Sequence, residues 1–117
     1  MSDEIDCDVT ELWLDQVAVV GVSGEVDMLT APRVESTIKS CLKRRPTALI
    51  IDLTNVKFLA SQGMSVLIAT RENAAPEIDV FVVADGPATS RPLKLVGVTE
   101  LVPVYSTLTD AVAATGN

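Results

Sequence analysis

A chain of 117 residues has room for one domain with a single sizeable core. Hydrophobic residues make up 48% of it and aromatics only 3%, so that core has to be aliphatic, built from Val, Leu, Ile and Ala. Histidine is absent, which excludes Ser-His-Asp and Cys-His catalysis and any histidine-bearing metal site, and a formal charge of −7 repels nucleic acid and anionic lipid.

The first element is a tail. Eight of the sixteen acids lie in residues 1–27 and the first basic residue is Arg33, so residues 1–8 read as a flexible, solvated N-terminus rather than a docking arm. Met1-Ser2-Asp3-Glu4 offers neither the basic nor the apolar region of a signal peptide. No apolar run approaches the ~20 residues of a membrane span, and the expected location is cytoplasmic. Cys7 and Cys41 are too few and too distant for a disulfide framework or a zinc motif. Both are expected to be free thiols.

Val9-Thr10-Glu11-Leu12-Trp13 predicts an edge strand, and Asp15-Gln16 a tight turn into a second strand over residues 17–22. Strands joined so closely pair antiparallel, as a hairpin. A loop, Gly24-Glu25-Val26-Asp27, leads to Thr30 as a helix N-cap with Pro32 in the first turn. Val34, Ile38, Cys41 and Leu42 then fall at i, i+4, i+7 and i+8, one face of a helix. Lys43-Arg44-Arg45 suits the negative end of its dipole, and Pro46 stops it. Residues 48–53 predict a buried strand followed by a short loop, with Ser61 as N-cap of a helix carrying Met64, Leu67 and Ile68. That helix breaks between Glu72 and Pro76. Asp79-Val80-Phe81-Val82-Val83 is the next strand, and Asp85-Gly86-Pro87 a loop. Thr89 or Ser90 caps a short helix that Gly97 ends. Val102-Pro103-Val104-Tyr105 is a last strand, placed at an edge because Pro103 cannot donate to a ladder. Thr107-Leu108-Thr109-Asp110 has the spacing of a capping box for a closing helix. The fold class is therefore α/β: a single domain over residues 1–117 with a small mixed β-sheet, an N-terminal hairpin followed by parallel strands, and about four helices. The pattern leaves open whether the helices cover one face or both.

Little in the chain carries catalysis. Ser61 stands two residues before Gly63, as in half of a nucleophile elbow, but position 59 is Leu and no histidine can act as base. A Ser61–Lys57 pair is the remaining route to a small serine hydrolase. Gly21-Val22-Ser23-Gly24 lacks the third glycine of a dinucleotide fingerprint, and there is no phosphate-binding loop with Gly-Lys-Ser or Gly-Lys-Thr. Asp27, Asp52 and Asp85 could meet at one end of the sheet as a cation site, but loop and cap roles are the commoner use of such acids. No cofactor and no metal are expected. Gly63 is more telling, since glycine in a first helical turn sacrifices ~1 kcal/mol relative to alanine. Either that turn packs closely on the sheet, or a partner's backbone approaches it.

Three stretches carry a resemblance: Val19-Val20-Gly21-Val22-Ser23-Gly24-Glu25-Val26-Asp27, Ile50-Ile51-Asp52-Leu53-Thr54-Asn55-Val56, and Phe58-Leu59-Ala60-Ser61-Gln62-Gly63. The end, Leu95-Val96-Gly97-Val98 through Val104-Tyr105-Ser106-Thr107-Leu108-Thr109-Asp110-Ala111, also fits. In order and spacing the chain resembles the STAS-domain anti-sigma factor antagonists (anti-anti-sigma factors) of bacteria.

The resemblance implies a STAS-like fold and a partner switch without catalysis. Ser61 would be the phospho-acceptor, Gly63 the family glycine, and Asp27 and Asn55 residues of neighbouring interface loops. Together with Ala60 and Gln62 these would form the partner-binding surface. The partners would be an anti-sigma factor that is itself a serine kinase and a PP2C-type phosphatase, and the free protein a monomer or weak dimer. The unphosphorylated antagonist would capture the anti-sigma factor and so free a sigma factor for transcription. The family places an acid before the acceptor and a small hydroxyl residue after it, where this chain has Ala60 and Gln62. A scaffold that accepts no phosphate is the alternative this departure suggests.

Overall fold

A computed structural model describes residues 7–116. Five strands form one mixed sheet in the order β1-β2-β3-β4-β5, namely Cys7–Leu14, Val17–Val26, Ala48–Leu59, Asp79–Val83 and Val104–Tyr105. β1 and β2 are the expected antiparallel hairpin, and every later pairing is parallel. The helices are α1 (Ala31–Lys43), α2 (Ser61–Asn73), α3 (Ser90–Leu95) and α4 (Leu108–Ala114), with a 3-10 turn at Val98–Glu100. The last strand does lie at an edge. It is shorter than expected, because Pro103 takes part only through its carbonyl, which accepts from the Val82 amide at 3.0 Å.

The helices divide unequally between the two faces. Ala18, Val20, Val22, Leu49, Ile51, Val80 and Val82 point to one side, where α1, α2 and α3 close the main core through Val34, Ile38, Cys41, Leu67 and Leu93. Alternate residues Val17, Val19, Ala48, Ile50, Phe81 and Val83 point to the other, where α4 lays Ala111 over them. Phe81 and Tyr105 meet edge to face there, with centroids 5.7 Å apart.

Two expectations need correcting. β1 begins at Cys7, whose side chain is buried and whose carbonyl accepts from the Arg33 guanidinium at 2.8 Å, so Cys7 and Asp8 belong to the sheet and not to a loose terminus. Residues 1–6 of that expectation lie outside the described residues. β3 does not end at Leu53 but runs to Leu59, through the stretch expected as a loop. Its pairing with β2 slips twice, between Gly21 and Ser23 and between Gly24 and Glu25. β3 carries the extra residues, so its inside–outside alternation is broken and the sequence pattern fades there.

Both thiols are free and buried. Burial is the main cause that raises the Cys41 thiol to about 11, with the Glu11 carboxylate adding to it. Burial also raises Cys7. Since the thiolate is the reactive form, both cysteines should react slowly with a thiol reagent at neutral pH and rapidly once urea unfolds the chain. Fast labelling of either in the folded protein would contradict this packing.

Candidate functional site

Parallel strands β2 and β3 deliver their carboxyl ends side by side, the place where open α/β sheets present ligand and partner sites. Val26 pairs with Leu59, and the Ala60 amide donates to the Val26 carbonyl at 2.8 Å. The loop from β2 to α1 and the start of α2 are thereby fastened together. Asp27 follows Val26 on one side; Ser61, Gln62 and Gly63 follow Ala60 on the other.

Ser61 is the first residue of α2 and not its cap. Ala60 holds the cap position with extended backbone, φ −80° and ψ 169°, and its carbonyl accepts from the amides of Gly63 and Met64. No side chain caps this helix. The Ser61 hydroxyl is exposed and makes no hydrogen bond to protein among the described residues, Lys57 included. The amides of Ser61 and Gln62 have no protein acceptor among those residues. An exposed hydroxyl beside two unused N–H groups at the positive end of a 13-residue helix is a place where a phosphate is well received.

Gly63 is buried, and the close approach at its α-carbon is made by the protein's own sheet. A β-carbon there would stand 2.6 Å from Leu59 Cδ1 and 2.8 Å from Val26 Cγ1. Of the two readings of this glycine, close packing of the turn on the sheet is the one the geometry accounts for.

Asp27 organises the neighbouring loop. Its Oδ1 accepts from the amides of Leu29 at 2.9 Å and Thr30 at 3.1 Å. Thr30 is the N-cap residue of α1, as expected, but its hydroxyl does not cap the helix and turns back, within reach of the Glu25 carbonyl at 2.9 Å and of Asp27 Oδ1 at 3.1 Å. The Thr30 hydroxyl oxygen in turn accepts from the Asp27 amide at 2.9 Å. The Thr30 amide foremost, with the Leu29 amide and the Thr30 hydroxyl, holds the Asp27 carboxyl below its ordinary 3.8. A depressed carboxyl stabilises the fold above its unfolded pKa, and the contribution is lost as pH falls through the lower folded value. Asp27→Ala should therefore loosen residues 27–30 at neutral pH and lose part of the parent's acid sensitivity below about pH 4. A carboxyl titration by NMR with a midpoint at or above 3.8 would contradict this.

Asn55 is not brought to Ser61. It pairs with Ser23, roughly 13 Å back along β3 from Leu59 at ~3.3 Å per residue. There it lines an open polar groove with Asp8, Thr10, Gly21, Ser23 and Asp52, on the part of the sheet that α4 leaves uncovered. Asp27, Asp52 and Asp85 do not converge as a cation site. Asp52 is engaged by the amide and hydroxyl of Thr54, and no group of three acid or cysteine side chains among the described residues could hold a metal.

Reading the sequence missed the apolar residues around this end. Met28 and Leu29, on the Asp27 loop, are 66% and 82% exposed, and Phe58, paired with Glu25, is 52% exposed. Two consecutive large apolar residues inside a turn were the available signal, because such a turn gives them nothing to pack on. With Ser61 and Gln62 they lie at the carboxyl end of the β2–β3 pair, which is therefore partly apolar.

A family model described as STAS domain matches residues 13–111. The anti-sigma-F factor antagonist RsfB of Mycobacterium tuberculosis is 42% identical over 95 residues, covering 81% of this chain and 78% of RsfB. The chain belongs to the STAS-domain anti-sigma factor antagonist family. An anti-sigma factor antagonist from Mycobacterium paratuberculosis, solved by crystallography, superposes with a TM-score of 0.92 at 44% identity, over 95% of each chain. SpoIIAA in its unphosphorylated form has a TM-score of 0.74 at 14% identity, over 90% of this chain and 93% of that one, a likeness of fold. The mixed sheet with its N-terminal hairpin is thus the STAS fold. The described helices include none long and apolar enough to cross a membrane.

Proposed function

We propose that this STAS protein captures an anti-sigma factor with the end of the molecule formed by residues 27–29 and 58–63, and that phosphorylation of Ser61 releases it. The observation that carries the reading is the exposed, unbonded Ser61 hydroxyl on the first turn of α2, at the same end of the β2–β3 pair as exposed Met28, Leu29 and Phe58. Apolar anchors with a polar rim are the usual anatomy of a protein interface. The relationship to RsfB, an anti-sigma-F factor antagonist, supports the choice of partner class.

The chemistry of release follows from charge. A phosphoryl group adds about −1.5 to −2 charges at neutral pH. On the free protein it faces water and the open N–H groups of α2, so the fold tolerates it. In a closed interface it would be desolvated against a surface matched to a neutral hydroxyl, at a cost of several kcal/mol. The donor would be ATP, through a kinase activity of the anti-sigma factor itself, and a PP2C-type phosphatase would restore the hydroxyl. The protein would act in the cytoplasm, with no catalysis of its own. Incubation with the cognate anti-sigma factor and ATP tests this. A single phosphoryl mass located on Ser61, together with loss of the complex, is the expected result. Capture without phosphate transfer would identify a scaffold instead.

Ala60 bears on the rate. It caps α2 with backbone alone and presents no carboxylate beside the acceptor. If an acid there pairs with a basic group of the kinase, Ala60→Asp should raise single-turnover phosphorylation by about tenfold, a transition-state gain of ~1.4 kcal/mol. An unchanged or lower rate would mean a kinase adapted to alanine.

A further inference from the structure

The turn that follows β2 is held by hydrogen bonds that leave out two of its side chains. The Asp27 amide donates to the Thr30 hydroxyl oxygen at 2.9 Å, and Asp27 Oδ1 accepts from the amides of Leu29 and Thr30. The Asp27 carbonyl accepts from the Ala31 amide at 2.8 Å, at the start of α1. The Thr30 hydroxyl gives its proton to the Glu25 carbonyl or to Asp27 Oδ1, and either bond ties the turn to the end of β2. The side chains of Met28 and Leu29 enter none of these bonds and stand exposed. A turn that fixes its backbone without using its apolar side chains is a rigid mount for them.

We propose that Asp27 and Thr30 are positioning residues, holding residues 27–30 in one conformation so that Met28 and Leu29 meet the anti-sigma factor already ordered. This rests on the reading that this end of the molecule captures that partner. It gives Asp27 a different task from the one the family resemblance implies. The carboxylate acts through Oδ1 on its own loop, and the two apolar residues touch the partner. Ordering a loop during binding opposes association, so a loop ordered beforehand binds more tightly with no contact added. Loosening the turn therefore weakens capture even with Met28 and Leu29 unchanged.

Calorimetric titration with the cognate anti-sigma factor, without ATP, tests this. Leu29→Ala removes an exposed anchor and should weaken capture by ~10-fold. Thr30→Val has the same shape without the hydroxyl and should also lose ~10-fold, while Thr30→Ser should stay within ~2-fold of the parent. Asp27→Asn keeps an accepting oxygen and should stay within ~3-fold, whereas Asp27→Ala should lose ~10-fold. Combined, Thr30→Val and Leu29→Ala should lose less than the product of the single losses, because the first already disengages the second. Nitrogen-15 relaxation of the free proteins should find residues 27–29 ordered in the parent and mobile in Thr30→Val and Asp27→Ala. Urea unfolding separates a loose turn from a lost fold. Should Thr30→Val fail to fold, the two Asp27 variants decide. Full affinity in Thr30→Val, no rescue by Thr30→Ser, or independent losses in the double variant overturns the proposal. So do equal losses in Asp27→Asn and Asp27→Ala, which would make the charge itself the contact. Ser61→Glu, run alongside, keeps the two readings apart. If it alone weakens capture, the turn proposal falls and the Ser61 switch stands; the reverse pattern keeps the turn and removes the switch. A parent that captures no anti-sigma factor overturns both.

Discussion

Phosphorylation of Ser61 is expected to weaken capture of the anti-sigma factor by about 1,000-fold, corresponding to ~4 kcal/mol of desolvation and repulsion at the interface. Ser61→Glu carries one charge where phosphate carries nearly two, and should lose roughly 10- to 100-fold. Ser61→Ala should bind as the parent does and keep the complex when ATP is added. The alanine variant is a clean control because the Ser61 hydroxyl caps nothing: the cap position belongs to Ala60, so stability should stay within ~0.5 kcal/mol. Calorimetric titration of the three proteins with the same anti-sigma factor measures all of this. Equal affinities for parent, alanine and glutamate variants would remove Ser61 from the interface.

The second large effect is on stability. Gly63→Val should destabilise the fold by about 3 kcal/mol, and Gly63→Ala by ~1 kcal/mol, in urea unfolding. For alanine two effects oppose. Helix propensity favours it over glycine by ~1 kcal/mol, but its β-carbon would stand 2.8 Å from Val26 Cγ1. Leu59 can swing its terminal methyl away. Val26 cannot, because a β-branched side chain buried in the sheet has little rotamer freedom. Packing therefore prevails, and the valine variant, branched at the crowded atom itself, suffers most. If Gly63→Ala proved as stable as the parent, the first turn of α2 would have to be free to lift from the sheet.

How far the sequence discloses this architecture depends on where each signal is stored. The hairpin, the parallel strands and the four helices are written in local periodicity: Val34, Ile38 and Cys41 do lie buried along one face of α1. β4 matches its expected span, and Gly97, at φ 82°, does terminate α3. What local reading cannot supply is the environment. Thr54, Asn55, Lys57 and Phe58 look like a loop because they are exposed, yet Asn55 and Phe58 pair with Ser23 and Glu25 of β2, and Thr54 and Lys57 fall at the two irregularities between the pairs. Thr30 does occupy the N-cap of α1, but its hydroxyl belongs to a turn built on Asp27, and the cap of α2 falls on Ala60, one residue before the expected Ser61. Gly63 was conspicuous in sequence; its reason became visible only with Val26 and Leu59 in place, contributed by two different strands.

The unequal cover of the sheet has a consequence for how the molecule opens. α4 has seven residues and a single fully buried side chain, Ala111, with Leu108 and Val112 only partly covered. A helix that short has little intrinsic persistence in water, so its adhesion rests on a small satellite cluster, while α1 and α2 share the main core. Its amides thus belong to the low-protection tier of hydrogen exchange, released by sub-global fluctuations well before the β2–β3 pair gives way. Each such fluctuation bares Val17, Val19, Ile50 and Val83 for a moment. The molecule has a soft side and a hard side, and Ser61 stands on a helix of the hard one.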